Sequence, residues 1–197
     1  MSDDPVSARW TAWRREISLE EYHARFARIE QAGGSAHGEA DFIESFHPTS
    51  VLDAGCGMGR VAIELHKRGI DAEGVDLDGD LLAYARQDAP TMVWHEADLA
   101  GMSLGRRYAM VAMPGNVMIF CRAEDRAAVV STAAAHIEPG GLLVAGFTLE
   151  QGPDALTLDE YDTSCRAAGL ELQDRYATWE RQPYEGGDYA VSVHRLG

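Results

Sequence analysis

The chain has 197 residues, 46% of them hydrophobic and 25% charged, which suits one substantial core and falls short of two typical domains. Its 32 Asp plus Glu against 17 Lys plus Arg leave a formal charge of -15. Such a surface repels phosphate backbones and anionic headgroups, which argues against nucleic acid and membrane partners.

The start, Met1-Ser2-Asp3-Asp4-Pro5, lacks the basic opening and apolar run of a secretion signal, and no stretch approaches the roughly 20 apolar residues of a membrane span. Cys56, Cys121 and Cys165 are odd in number and scattered, unlike a disulfide framework or a paired metal site. A cytoplasmic protein with free thiols is expected.

Residues 1–48 read as a helical cap. Trp10 and Trp13 fall three apart, on one helix face, and Arg14-Arg15 reads as a solvated one. Ser18 with Glu21 has the spacing of a capping box, after which Tyr22, Phe26 and Ile29 recur at helical intervals until Gly33-Gly34. A second helix over 39–46 stops before Pro48, and the segment packs across the carboxyl edge of the sheet that follows, or beside it.

From residue 49 short apolar runs alternate with amphipathic stretches, the pattern of parallel strands joined by crossover helices. Strands are expected at 50–53, 72–76, 91–94, 108–113 and 142–147. The helices between them are 60–68, closed by Gly69; 79–88, closed before Pro90; and 123–137, closed before Pro139-Gly140-Gly141. A helix over 158–168 ended by Gly169, a strand over 171–179, a turn over 183–187 and a strand over 189–195 complete the chain. With no internal repeat and no linker, one α/β domain over 1–197 is predicted, with its core at 49–197.

Three features of that core carry chemistry. Val51-Leu52-Asp53-Ala54-Gly55-Cys56-Gly57-Met58-Gly59-Arg60 is an apolar strand running into a glycine-rich turn that opens a helix. Glycines there take positive φ and leave room for a ligand over the first helical turn. The last glycine of a dinucleotide fingerprint would fall at position 60, where Arg60 stands. A carboxylate at Asp53 would repel a pyrophosphate, yet it suits a ligand carrying an ammonium group.

Gly74-Val75-Asp76-Leu77 sets a second carboxylate at the end of strand two, 21 residues after Gly55, where it can accept from both ribose hydroxyls. Asp78 is the better candidate for capping the next helix. In His95-Glu96-Ala97-Asp98-Leu99, a carboxylate can accept from an adenine amino group while Leu99 covers the ring. Together the three describe one adenosine cradle along a single sheet edge.

These three segments resemble the first motifs of the class I S-adenosylmethionine-dependent methyltransferases, over about residues 36–195. The resemblance implies a Rossmann-like, seven-stranded, mostly parallel sheet with helices on both faces and an antiparallel last strand. It further implies Gly55 and Gly57 against the methionine part, Asp76 on the ribose, Leu77 and Leu81 on adenine, Asp98 and Leu99 at its amino edge and Met113 beside the sulfonium. Asp53, Ala54, Cys56 and Arg60 complete the implied cofactor set.

At the fourth motif this chain has Met113-Pro114-Gly115-Asn116 in place of Asn/Asp-Pro-Pro-aromatic, which disfavours methylation of adenine N6 or glutamine. The run Pro114-Gly115-Asn116-Val117-Met118 is more similar to small-molecule methyltransferases. The expected reaction is in-line transfer of a methyl group from S-adenosylmethionine to a small-molecule acceptor, releasing S-adenosylhomocysteine. An NAD(P)-dependent oxidoreductase and a non-catalytic S-adenosylmethionine-binding module are the alternatives. Candidate bases are His37, Glu39 and Tyr22, with His23 and Tyr184 behind them; alignment of nucleophile, methyl and sulfur can supply much of the acceleration without a strong base. His37-Gly38-Glu39 and His95-Glu96 lack a complete ligand set, so no metal is expected.

Overall fold

The structure is a computed structural model that describes residues 6–31, 37–149, 152 and 155–197. Its frame is one sheet: β1 (Ser50–Ala54), β2 (Asp71–Asp76), β3 (Trp94–Glu96), β4 (Tyr108–Met113), β5 (Ile137–Thr148), β6 (Leu170–Tyr176) and β7 (Tyr189–Leu196). The strands lie in the order β3-β2-β1-β4-β5-β7-β6. β1 to β5 pair in parallel, and β7 runs antiparallel to both β5 and β6. The crossovers diverge between β1 and β4, and it is outside the carboxyl ends at such a reversal that open α/β sheets hold ligands.

Alternation along the strands builds two cores. Leu52, Val75, Val111 and Leu143 join the cluster that includes α7 (Arg126–Ala135) and α8 (Leu158–Ala167), whereas Val51, Ala72, Met110 and Val144 join the one that includes α3 (Gly38–Glu44) and α4 (Arg60–Lys67). α5 (Gly79–Asp88) seals the β2 end of the second face through Trp94, whose Nε1 donates to Ala89 O at 3.0 Å.

The third strand occupies Trp94–Glu96 rather than 91–94. After Ala89 closes α5 the chain needs a turn through Pro90 and Thr91, with Met92 N bonded back to Ala89 O, before it can rejoin the sheet. The helix expected over 123–137 is a 3-10 turn at Ala123–Asp125 followed by α7, and Ile137 pairs with Tyr108 as the first residue of β5. Pro139-Gly140 sits inside that long strand, at a register irregularity between the partners Tyr108 and Met110, with Gly140 at φ +78°.

Residues 97–107 contain no helix. This connection is instead tied to α7: Thr132 Oγ1 donates to Ala100 O at 3.1 Å, and Leu104 N donates to His136 Nε2 at 3.1 Å. A buried polar group occupies the adjoining sheet face. Glu73 accepts from His95 Nε2 at 2.8 Å, from Tyr108 OH at 2.7 Å and from Arg106, which also bonds Asp71.

The cap divides in two. α1 (Ala8–Glu16) and α2 (Leu19–Gln31) cross the carboxyl edge of the sheet. Ser7 Oγ caps α1 by accepting from Trp10 N and donates to Phe120 O at 2.6 Å, Arg14 bonds Asp78 and Asp80, and His23 bonds Asp88. At Ser18 only half of the expected capping box forms, Glu21 N to Ser18 Oγ at 3.3 Å; a complete one stands at Thr157 and Glu160. The expected stop at Gly33-Gly34 lies outside the described residues. α3 packs beside the sheet, with Phe42 against Tyr176 and Trp179, and the Arg181 guanidinium lies over Phe42 and Phe46. Among the described residues no helix is long and apolar enough to cross a membrane.

Candidate cofactor site

β1 delivers the chain into the glycine turn with Gly55, Gly57 and Gly59 at φ +78°, +55° and +79°, as the positive-φ reading expects. The room at the three positions is used differently. A Cβ on Gly55 would lie 2.6 Å from Val117 and one on Gly59 would strike Trp94, so those two glycines admit protein; only at Gly57 does the space stay open. Gly55 N and Cys56 N both donate to Val75 O, at 2.8 and 3.0 Å, which fastens the turn to β2.

Two carboxylates flank this turn. Asp76, at the end of β2, accepts from Gly57 N at 2.8 Å and Asp78 N at 2.9 Å. Burial pushes its carboxyl above the ordinary range, against those two backbone bonds. Asp53 is 1% exposed. Its Oδ2 accepts from Ala62 N at 3.1 Å in the first turn of α4, and its Oδ1 is buried with no hydrogen-bond partner. Burial raises its carboxyl to about 7, opposed by the Ala62 bond and the Arg60 charge. As expected, Asp78 caps α5, accepting from Asp80 N and Leu81 N.

The two carboxylates open onto adjoining clefts. Asp76, Leu77, Leu81, Asp98 and Leu99 form one wall of the first, with Gly55 and Gly57 as its floor. Opposite stand Val117, Phe120, Cys121, Arg122, Asp125 and Val129, and Val6, Trp10, Trp13 and Tyr22 cover it. The cover is an aromatic stack. Trp10 and Trp13 lie 4.8 Å apart, Trp13 meets Tyr22 edge-on at 5.5 Å and Trp10 meets Phe120 at 5.6 Å. The second cleft, of about 450 Å³, is lined by Asp53, Cys56, Met58 and Arg60, by Ile63, Glu64 and Lys67 of α4, and by His23 and His37. The two meet at Tyr22, Gly55, Gly57 and Gly115.

Of the residues singled out from sequence, Gly55, Gly57, Asp76, Leu77, Leu81, Asp98 and Leu99 converge on the first cleft, and Asp53, Cys56 and Arg60 on the second. Ala54 and Met113 are buried in the sheet and line neither. Among the candidate bases, Tyr22 stands where the clefts meet, with burial raising its hydroxyl above the usual range. His37 lines the second cleft, 3.8 Å from Glu64, and His23 bonds Asp88 at 2.6 Å at its rim. Glu39 lines neither cleft and holds Arg60 bidentately at 3.0 and 2.5 Å. Tyr184 is half-buried on the connection between β6 and β7 and lines neither cleft. Among the described residues no group of three or more His, Cys, Asp or Glu could hold a metal ion.

Beyond the run Pro114 to Met118, the sequence singled out no residue of the Phe120 to Val129 wall as part of the site. α6 (Val117–Phe120) is one turn long, too short for a periodic pattern. The signal present was Asn116, which adopts φ +70° and accepts from Thr148 N at 2.8 Å, so that the segment folds back over the glycine turn.

A glycine turn between two carboxylates, at the reversal point of a seven-stranded sheet, defines a nucleoside-binding α/β fold. A family model described as a methyltransferase domain matches residues 51–141. A TehB-like S-adenosylmethionine-dependent methyltransferase from Corynebacterium glutamicum superposes with a TM-score of 0.82 at 30% identity, covering 90% of this chain and 97% of that one. The chain belongs to the class I S-adenosylmethionine-dependent methyltransferases, whose cofactor is S-adenosylmethionine, and the nicotinamide alternative falls away. It is 35% identical over 108 residues to a dTDP-3-amino-3,4,6-trideoxy-alpha-D-glucopyranose N,N-dimethyltransferase of Streptomyces venezuelae, across 53% of this chain and 46% of that protein. The chain thus spans less than half the length of this curated relative. DesVI of Streptomyces venezuelae, at 20% identity and a TM-score of 0.71 over 92% of this chain and 100% of that one, shares the fold.

Proposed function

We propose that the chain catalyses methyl transfer from S-adenosylmethionine to a small-molecule acceptor, acting as a single domain in the cytoplasm. The observation that carries this reading is the pair of buried carboxylates, Asp53 and Asp76, on opposite sides of a turn whose Gly57 faces open space. A ligand with a hydroxylated ribose at one end and an ammonium at the other matches that spacing of acceptors. The unpartnered Asp53 Oδ1 is a place for the ammonium, and the lone pairs that Asp76 does not spend on Gly57 and Asp78 are places for ribose hydroxyls. Leu77, Leu81 and Leu99 offer an apolar slot for adenine with Asp98 at its polar edge.

The cofactor supplies an activated methyl group on a sulfonium, so the protein's share is alignment and exclusion of water. Tyr22, Gly55 and Gly115 border both clefts, and the acceptor atom reaches the methyl where these residues meet. The Trp10, Trp13 and Phe120 stack closes the nucleoside side against solvent. Several relatives are described as acting on amino sugars, which makes an amine on a small hydroxylated ring the first acceptor class to test. Incubation with S-adenosyl[methyl-14C]methionine and a panel of amino sugars should transfer label to at least one amine. Tight binding of S-adenosylhomocysteine without turnover on that panel or on a metabolite extract would favour a non-catalytic module.

A further inference from the structure

We infer that Asp53 gives up a proton when the cofactor's amino-acid end arrives, so that cofactor affinity is coupled to pH through this one carboxyl. The inference rests on the cofactor reading above and concerns the state of the site before the ligand enters.

The geometry around Asp53 explains why. It lies in β1, the middle one of the five parallel strands, paired on both sides, and is closed over by the first turn of α4. Among the described residues one backbone N–H is the only hydrogen bond its carboxyl receives, and Oδ1 has none. A carboxyl so deeply buried and with so few donors resists ionisation.

The charges facing it give little relief. From α4 the Arg60 guanidinium favours ionisation, but two of its nitrogens are committed to Glu39 of α3, whose own charge opposes it. From β2 the Asp76 carboxyl opposes it too. Within the cleft the remaining titratable groups are the Cys56 thiol, held neutral by burial, the Tyr22 hydroxyl, also raised, His37 with Glu64 and Lys67 at the α4 side, and the bonded His23 and Asp88 at the rim. Burial outweighs Arg60 and raises the carboxyl to about 7.

An ammonium entering beside Oδ1 supplies the missing donor and the missing positive charge together. Both favour the carboxylate, so the proton leaves to solvent as the ion pair forms. The balance is Asp-COOH plus R-NH3+ giving Asp-COO−···R-NH3+ plus one proton. Linkage makes the effect reciprocal: lowering the pH reprotonates Asp53 and weakens the cofactor.

Calorimetric titration of the full chain with S-adenosylhomocysteine at pH 7, in buffers of low and high ionisation enthalpy, reads the proton directly. About half a proton should be released per ligand bound, the protonated fraction of a carboxyl near pH 7. Affinity should be about tenfold lower at pH 6 than at pH 8. Asp53→Asn, which keeps an oxygen for Ala62 N, should release no proton and bind with a flat pH profile. In 5′-methylthioadenosine the adenosine is kept and the ammonium lost, and its binding should release none. Proton release that survives in Asp53→Asn, or a wild-type affinity that is level from pH 6 to 8, overturns the inference. Absence of S-adenosylhomocysteine binding at every pH would instead sink the cofactor reading on which it rests.

Discussion

The Gly57 amide donates to the Asp76 carboxylate across 2.8 Å, so the glycine turn after β1 and the acid at the end of β2 form one unit. Each holds the other in place without ligand. Asp76→Ala should therefore do two things, removing the ribose acceptor and releasing the turn. Affinity for S-adenosylhomocysteine should fall by about 10- to 100-fold, the 1.5–3 kcal/mol of a charge-assisted hydrogen bond. Calorimetry on a variant with a normal circular dichroism spectrum checks this; unchanged affinity would refute the ribose assignment.

Gly55 and Gly57 should respond differently to a methyl group. At Gly55 the new Cβ would meet Val117 at 2.6 Å in addition to a strained φ of +78°, so Gly55→Ala should lower the melting temperature, and Val117→Ala should recover part of the loss. At Gly57 the space is open, so Gly57→Val costs backbone strain of about 1–3 kcal/mol but places its bulk where the ligand belongs. A folded Gly57→Val protein that still gains thermal stability from S-adenosylhomocysteine would contradict the placement of the site.

α1 is a cover for the first cleft, which alters what its removal should do. The sequence left open whether the cap packs across the carboxyl edge of the sheet or beside it. Trp10 and Trp13 share a cleft with Asp76 and Leu81, and Arg14 ties α1 to Asp78, the residue that caps α5. Trp13→Ala and Arg14→Ala should accordingly speed cofactor dissociation several-fold, as stopped-flow tryptophan fluorescence would show. Amide exchange over residues 8–16 should slow on adding S-adenosylhomocysteine; equal exchange with and without it would reduce α1 to packing.

Glu73 should be the main acid-sensitive point of the fold. Its carboxyl is held below the ordinary value of 4.5: burial alone would raise it, but the bonds from His95 and Tyr108 and the charge of Arg106 prevail. A carboxyl depressed in the folded state contributes stability that is present above its unfolded pKa and is lost as pH falls through the folded one. Urea unfolding should thus show a midpoint that declines below about pH 4.5, and Glu73→Gln should flatten that decline. Glu73→Ala, which leaves Arg106 and Tyr108 without their acceptor, should cost about 2–4 kcal/mol at pH 7.

The legible parts of this molecule were those where local pattern and tertiary role coincide. β1, the glycine turn and β2 could be read because a buried parallel strand is an apolar run and its carboxyl end must carry the polar residues. Asp53 and Asp76 were found by that logic. The role of Gly59 was not, because the need for glycine there comes from Trp94, 35 residues away in sequence and brought near only by the sheet. The family resemblance implied Met113 beside the sulfonium, and its side chain joins the core cluster that includes α7 and α8. Gly115, in the turn two residues beyond, borders both clefts.

The helix-free connection from β3 to β4 gives the adenine-facing wall a remote support. Asp98 and Leu99 stand on a length of chain whose posture is set by the bonds from Thr132 and to His136. α7 therefore acts as a lever arm for that wall, and drift at its inner surface would retune how the purine fits while leaving every ligand contact chemically intact.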